Sequence, residues 1–332
     1  MAAASFDVVG IGNAIVDVLA HADDGFLDTH GLAKGAMTLI DEARGEALYA
    51  AMGPATEVSG GSAANTMAGL AALGGRGAFI GKVRDDQLGG IFRHDIRAAG
   101  VAFETASATG GPSTARCLIL VTPDAQRTMN TYLGVAGALT PDDLDEAAIR
   151  AARITYLEGY LWDPPPAQQA FLAAAKLAHG AGRKIALSLS DPFCVERHRE
   201  SFRELVGGHV DVLFANEVEI RSLYQTASFD AAVQQVRGHC DIAVLTRSAK
   251  GAIVLAGDEV HVIDAEPVAH VVDTTGAGDL FAAGFLSGLT RERPLYECGR
   301  IGAIAAAEVI SHLGARPETD LAALVRRRLH EA

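Results

Sequence analysis

The chain has 332 residues, with 28 Lys and Arg against 41 Asp and Glu for a formal net charge of −13, and 49% of its residues are hydrophobic. That composition fits a large buried core and not long disorder, and the acidic balance excludes a general nucleic-acid binder, which needs a basic surface. The four cysteines, Cys117, Cys194, Cys240 and Cys298, stand far apart without a CxxC pair, so no disulfide framework or zinc site is expected, and a reducing cytoplasm is the simplest home.

Residues 1–7 lack a basic region followed by an apolar run, so no signal peptide is expected. With no stretch of about 18 uninterrupted apolar residues, no membrane span is expected either. Short β-type runs lie at 7–11, 78–81, 183–189, 210–214 and 242–246, and segments such as 62–73 and 167–179 carry apolar residues at helical spacing. This alternation predicts an α/β fold with a mostly parallel central sheet and helices on both faces. Length allows two domains of about 150 residues or one large unit. The absence of a linker or internal repeat favours one domain over 1–332. Two regions, about 17–41 and 103–133, look like strands without long helices. In the second, 116–122 and 128–133 flank the turn-like Pro123-Asp124-Ala125-Gln126, which suggests a hairpin. Together they predict a small β-sheet lid over the carboxyl edge of the main sheet, where open α/β sheets bind ligands.

The most informative stretch is 271–285, VVDTTGAGDLFAAGF. An apolar run ends at Asp273, a glycine-rich turn follows, and an apolar helix starts near Asp279. Gly276 and Gly278 permit a tight turn and close approach to a ligand, and the free N–H groups of the helix's first turn favour an anion. A carboxylate beside such a cradle suits phosphoryl transfer, in which the moving group needs donors and the attacking hydroxyl a proton acceptor. The plainer reading is a helix-start aspartate after an ordinary turn.

Three segments resemble signatures of the ribokinase-like (PfkB) family of sugar and nucleoside kinases, in that family's order and spacing across essentially the whole chain. They are Asp273-Thr-Thr-Gly-Ala-Gly-Asp279 followed by Phe281 and Gly284, Ser59-Gly60-Gly61-Ser62-Ala63-Ala64-Asn65-Thr66, and Asn216-Glu217-Val218-Glu219. The resemblance implies a ribokinase-like fold and ATP as donor. It implies Asp279 as catalytic base, the Gly276, Ala277 and Gly278 amides as anion hole, and Gly60, Gly61 and Asn65 as the floor of the acceptor pocket. Asn216 and Glu219 are implied to organise water around Mg2+ near the phosphates, although Asn216 and Glu219 also read as a helix capping box. Asp273 and Thr275 resemble part of a potassium (K+) loop. Arg127 resembles a lid arginine that reaches the transferred phosphate; a solvated turn residue is the alternative. On the ATP side, Thr246, Ser248 and Gly251 resemble a Thr-x-Gly-x-x-Gly turn in which Ser248 replaces the first glycine, and 303–312 is expected near the adenine, with His312 as a capping or packing residue.

Gly12, Asn13 and Asp17 resemble the nucleoside (adenosine kinase) branch, with Asp17 at the exit of a strand over 10–17, accepting hydrogen bonds from vicinal ribose hydroxyls. Candidate purine walls are Met37, Phe103, Tyr160, Leu161 and Trp162; filling of the seam between lid and body is the alternative. The resemblance therefore implies phosphorylation of a nucleoside 5′-hydroxyl, adenosine first, as in purine salvage. A ribose- or fructose-type sugar acceptor, and a catalytically silent binding protein on this scaffold, are the alternatives. Small-molecule substrates, no nucleic acid and no membrane are expected, with monomer and homodimer both open. A dinucleotide fingerprint fails because Ile15 stands where G-x-G-x-x-G needs its third glycine, and no GxxxxGK[ST], HExxH or GxSxG occurs.

Overall fold

The computed structural model describes residues 5–124 and 126–330. Residues 1–4, used in the reading of the N-terminus, and Ala125 of the turn tetrad lie outside the described residues. In chain order the strands are Phe6–Ile11 (β1), Ile15–His21 (β2), Met37–Leu39 (β3), Ala55–Gly60 (β4), Gly77–Ile80 (β5), Ala115–Val121 (β6) and Arg127–Tyr132 (β7). There follow Ala152–Glu158 (β8), Lys184–Ser188 (β9), Val212–Asn216 (β10), Ile242–Thr246 (β11), Ala252–Ala256 (β12) and Glu259–Ile263 (β13). They form an eight-stranded sheet in the order β13-β12-β11-β10-β9-β8-β1-β5 and a five-stranded sheet in the order β3-β7-β6-β2-β4.

In the large sheet β5, β1, β8, β9, β10 and β11 run parallel, and β12 and β13 antiparallel. Parallel strands buried on both faces select continuous apolar runs, as in Ile242–Thr246, and the two faces then split by residue parity. Val9, Ile11, Leu157 and Leu187 pack with Phe171 of the Pro165–Gly180 helix. Val8, Tyr156 and Phe214 face the other way, onto Met67 of the Ser62–Ala72 helix and Phe285 of the Ala277–Leu289 helix. Those last two helices approach closely because Gly69 has no Cβ; one there would lie 2.6 Å from Leu280 Cδ1 and 2.9 Å from Ala283 Cβ. This contact brings the starts of both helices to one place.

The small sheet differs from the expected lid in two ways. It includes β4, outside 17–41 and 103–133, and residues 103–114 form no strand. The strand read over 10–17 is two strands in two sheets, broken at Gly12–Ala14. On β2, Val16 and Val18 are buried in the core while Ile15 and Asp17 face the opposite way, and Asp17 pairs with Val58 of β4 and Cys117 of β6. The β6–β7 hairpin is present, antiparallel, with Arg116 opposite Tyr132.

Candidate active site

The strand order reverses at β1, and in open α/β sheets such a switch point opens a crevice at the carboxyl ends of the strands. A cavity of about 710 Å³ lies there, lined by Asn13 from the link after β1 and by Glu158, Ser188, Asn216 and Thr246 from the large sheet. The small sheet supplies the facing wall through Ile15, Asp17, Met37, Leu39, Ile119 and Met129.

Gly276 is the N-cap of the Ala277–Leu289 helix at φ +79°, a left-handed conformation that glycine adopts at low cost. The Ala277 amide, expected in the anion hole, donates instead to the Thr274 carbonyl at 3.2 Å, and the first bond inside the helix runs from Leu280 N–H to Gly276 O at 2.8 Å. The Gly278 and Asp279 amides thus lack intrahelical acceptors at the positive end of the helix dipole. Asp279, in this first turn, accepts from Ser62 Oγ at 2.6 Å and Asn65 Nδ2 at 3.0 Å. Ser62 is therefore a partner of Asp279, and Gly61 is the N-cap of the Ser62–Ala72 helix. Burial raises the Asp279 pKa above the ordinary carboxylate value, opposed by those two hydrogen bonds and by Arg316. Asn65 spends its amide nitrogen on Asp279, and its buried Oδ1 has no donor, leaving an acceptor at the cavity wall.

On β2, burial pushes the Asp17 carboxyl up to about 6 against the pull of Arg316 and Arg127. Gly60, opposite Ile15 in the β2–β4 ladder, leaves room for it: a Cβ at Gly60 would collide with the Asp17 carboxylate. Gly61 has φ +94°, and a Cβ there would strike the Asn13 carbonyl. Glu158, at the end of β8, ties this floor together. It accepts from Asn13 N–H at 3.2 Å, Asn13 Nδ2 at 2.7 Å and Ala63 N–H at 2.8 Å. Burial pushes its carboxyl up to about 7 despite these bonds.

Toward β10 and β11, Asn216 and Glu219 form the capping box anticipated for them. Asn216 Oδ1 accepts from Val218 and Glu219 N–H at 2.8 and 2.9 Å, and Glu219 accepts from Asn216 N–H at 2.9 Å. Both also line the cavity, and burial pushes Glu219 up to about 7. Ser248 takes φ +50°, adopting the left-handed conformation that the missing glycine would have supplied. The turn closes through Gly251 N–H to Ser248 O at 3.1 Å, but Ser248 and Gly251 stand outside the cavity lining. Ala303 and Ala305 are core residues of the Leu295–Val309 helix, and His312 Nε2 sits 3.3 Å from Glu308 Oε2.

Several expected residues are elsewhere. Phe103 is fully buried, stacked near Phe79 and Phe92, and Leu161 and Trp162 are buried on the opposite face of the large sheet, with Trp162 between Phe171 and Phe202 at 5.7 Å. Of the five proposed walls only Met37 and Tyr160 line the cavity, joined by Leu39 and Phe193. Arg127 is not among the residues that line the cavity: its guanidinium pairs with Asp273 and donates to Thr275 Oγ1 at 2.6 Å. Asp273 also accepts from Thr275 N–H at 3.0 Å and Gly314 N–H at 2.9 Å. Burial alone would raise its pKa, but these donors hold it below the ordinary value. A carboxylate so occupied, with a guanidinium already on it, does not fit a potassium ligand.

Glu158 and Arg316 meet partners far away in the chain, which no local pattern marks, and Phe193 stood in no quoted motif. Ser62 stood inside a quoted motif, and Leu39 two residues from the candidate Met37.

Among the described residues no helix is long and apolar enough to cross a membrane. Residues 37–321 match the model of the pfkB family of carbohydrate kinases. The fold superposes with a TM-score of 0.91 on the adenosine kinase from Sinorhizobium meliloti, 52% identical, covering 98% of this chain and all 100% of that one. It superposes equally, at 0.91, on a probable sugar kinase from Rhizobium etli, 49% identical over 98% of this chain and 99% of that one. The adenosine kinase of Saccharomyces cerevisiae is 26% identical over 331 residues, 92% of this chain and 95% of that protein. The chain belongs to the pfkB family of carbohydrate kinases and is a kinase whose acceptor is a hydroxyl group.

Proposed function

We propose that the protein moves the γ-phosphoryl group of ATP to the 5′-hydroxyl of a nucleoside, adenosine first. The observation that carries this reading is the layout of one cavity. Asp279, the free Gly278 and Asp279 amides, Asp17, the unpaired Asn65 Oδ1 and the apolar side chains Met37, Leu39, Tyr160 and Phe193 all face the same space. Ribose hydroxyls suit Asp17 and Asn65, and a flat base suits an apolar wall that a free sugar would leave wet. Likeness to the S. meliloti adenosine kinase supports the same acceptor.

In this reading Asp279 takes the hydroxyl proton as the bond to phosphorus forms, Ser62 and Asn65 hold its carboxylate in line, and the helix-start amides stabilise the phosphoryl charge. The small sheet excludes water that would otherwise be phosphorylated. Among the described residues no group of three or more His, Cys, Asp or Glu could hold a metal ion. A magnesium ion carried by the nucleotide would neutralise phosphate charge. Cavity-lining Glu219, desolvated and without a cation beside it, together with Asn216, fits its water shell.

A free-sugar acceptor is the competing reading, favoured by the likeness to the R. etli protein. A panel of nucleosides, ribose and fructose with Mg-ATP separates the two by kcat/KM. Adenosine turnover at least a hundredfold above any sugar is expected, and a sugar in first place overturns the nucleoside assignment.

A further inference from the structure

Asp17 and Asp279 face one cavity, and Asp279 disfavours ionisation of Asp17. A site that needs both as carboxylates needs a cation nearby. Arg127 is engaged by Asp273. The other cation is Arg316, which arrives from a segment with no element of its own. Its guanidinium donates to Ala64 O at 3.0 Å, Ser59 O at 2.6 Å and Ser59 Oγ at 3.0 Å. Ser59 is held from its other side by Asp95, which accepts from its N–H at 2.8 Å and its hydroxyl at 2.6 Å. The turn Arg316 grips therefore carries Gly60, Gly61 and Ser62.

The two residues before Arg316 touch the phosphate loop. Gly314 N–H donates to Asp273 Oδ2 at 2.9 Å, and Ala315 packs so closely on Gly276 that a Cβ at Gly276 would lie 2.8 Å from Ala315 Cβ. Beyond Arg316 the segment is anchored by Glu308 Oε1, which accepts from Glu318 and Thr319 N–H at 3.0 Å each. Three consecutive residues thus bridge the acceptor turn and the loop that begins the Asp279 helix.

We propose that Arg316 is a positioning residue for phosphoryl transfer, tying the acceptor turn to the phosphate loop and placing one fixed positive charge beside Asp17 and Asp279. The proposal rests on the reading of those two aspartates as acceptor-site groups. Loss of solvation lowers the Arg316 pKa while Asp95, Asp17 and Asp279 hold it up, and Arg316 in turn pulls both cavity aspartates down. The other groups facing them are Arg127 and the neutral Cys117 thiol beside Asp17, and Ser62, Asn65, Glu158, Tyr156 and Tyr160 around Asp279.

The test uses full-length Arg316→Gln and Arg316→Lys. It reads the pH profile of kcat/KM with whichever acceptor the unmodified enzyme turns over, and the 13C carboxyl titrations of Asp17 and Asp279 without acceptor. In Arg316→Gln, kcat/KM should fall roughly 10- to 100-fold, the scale of a small misplacement of reacting groups. Its acid limb and both carboxyl titrations should move up by about one pH unit or more, the low end for losing a neighbouring opposite charge. Arg316→Lys keeps the charge without the fork, so its limb and titrations should stay within a few tenths of a unit of the unmodified enzyme. Unmoved titrations in Arg316→Gln, or a shift in Arg316→Lys as large as about one unit, overturns the proposal. Should Arg316→Gln fail to fold, Arg316→Lys decides by the same criterion. Should no acceptor be turned over, the functional reading fails while the carboxyl titrations still decide the placement of charge.

Discussion

Replacing Asp279 by Asn removes a base while leaving its shape. In the native site Oδ1 accepts from Ser62 Oγ at 2.6 Å and Oδ2 from Asn65 Nδ2 at 3.0 Å. An Asn carboxamide can still accept from Asn65 and turn its NH2 toward the Ser62 hydroxyl, so the local hydrogen bonds survive. What disappears is the proton acceptor, generally worth 10²- to 10⁴-fold in rate, or about 2.7–5.4 kcal/mol of barrier. Stability should move the other way. The Asp279 pKa is raised in the fold by burial, so its stabilising contribution is present below the unfolded pKa and lost as pH rises through the folded one. At neutral pH the carboxylate therefore costs stability, and Asp279→Asn should melt at the same temperature as the parent or higher. Coupled ADP release gives kcat, and a thermal melt gives the second reading. A kcat loss of less than tenfold in a folded variant would refute the assignment of the base.

Asp17→Asn should weaken acceptor binding by roughly 10- to 100-fold, the scale of losing hydrogen bonds to a charged group, with a smaller effect on kcat; an unchanged KM for the acceptor contradicts the ribose assignment. With Asp17 pushed up to about 6 by burial, KM for the acceptor should climb as pH falls through about 6, and a flat KM there contradicts the same claim. Glu158 and Glu219, both pushed up to about 7 by burial, and Asp17 each lose stabilisation as pH rises through these values. Asp124, held near 2 first by Lys34, works in the opposite sense only in stronger acid. The melting temperature of the ligand-free protein should accordingly rise as pH is lowered from about 8 to about 5, and a steady fall over that interval would contradict the burial of these groups. Ser248→Gly should stabilise by about 0.5–1 kcal/mol in urea unfolding, relief of a left-handed serine less the added freedom of the unfolded chain; destabilisation would mean the serine side chain holds the turn.

The parallel strands were legible because a strand buried on both faces must be an unbroken apolar run, and 242–246 coincides with β11. The switch between sheets after Ile11 was less legible: Gly12 and Asn13 are poor strand residues, but apolar residues continue on both sides of them. β4 escaped for a related reason: ATEVSG is exposed at one end and closes on the glycine pair that shapes the acceptor turn. Asp279, Asn65 and Asp17 were identifiable through motif spacing and do line one cavity. Aromatic side chains carried no such information, since a ring suits a core and a ligand wall equally; Phe103 and Trp162 went to the core while Phe193 stayed at the cavity. Partners remote in the chain were beyond any local pattern: Glu158 meets Asn13 across 145 residues and Arg127 meets Asp273 across 146.

The central claim is that a phosphoryl group passes directly from ATP to a nucleoside 5′-oxygen in this cavity. Phosphorus NMR of a reaction with Mg-ATP and adenosine reads it most directly. A new phosphomonoester resonance coupled to the two 5′ protons, growing as ADP grows, is the predicted result; ADP accompanied only by inorganic phosphate, or a phosphoester formed solely when a free sugar is supplied, would contradict it.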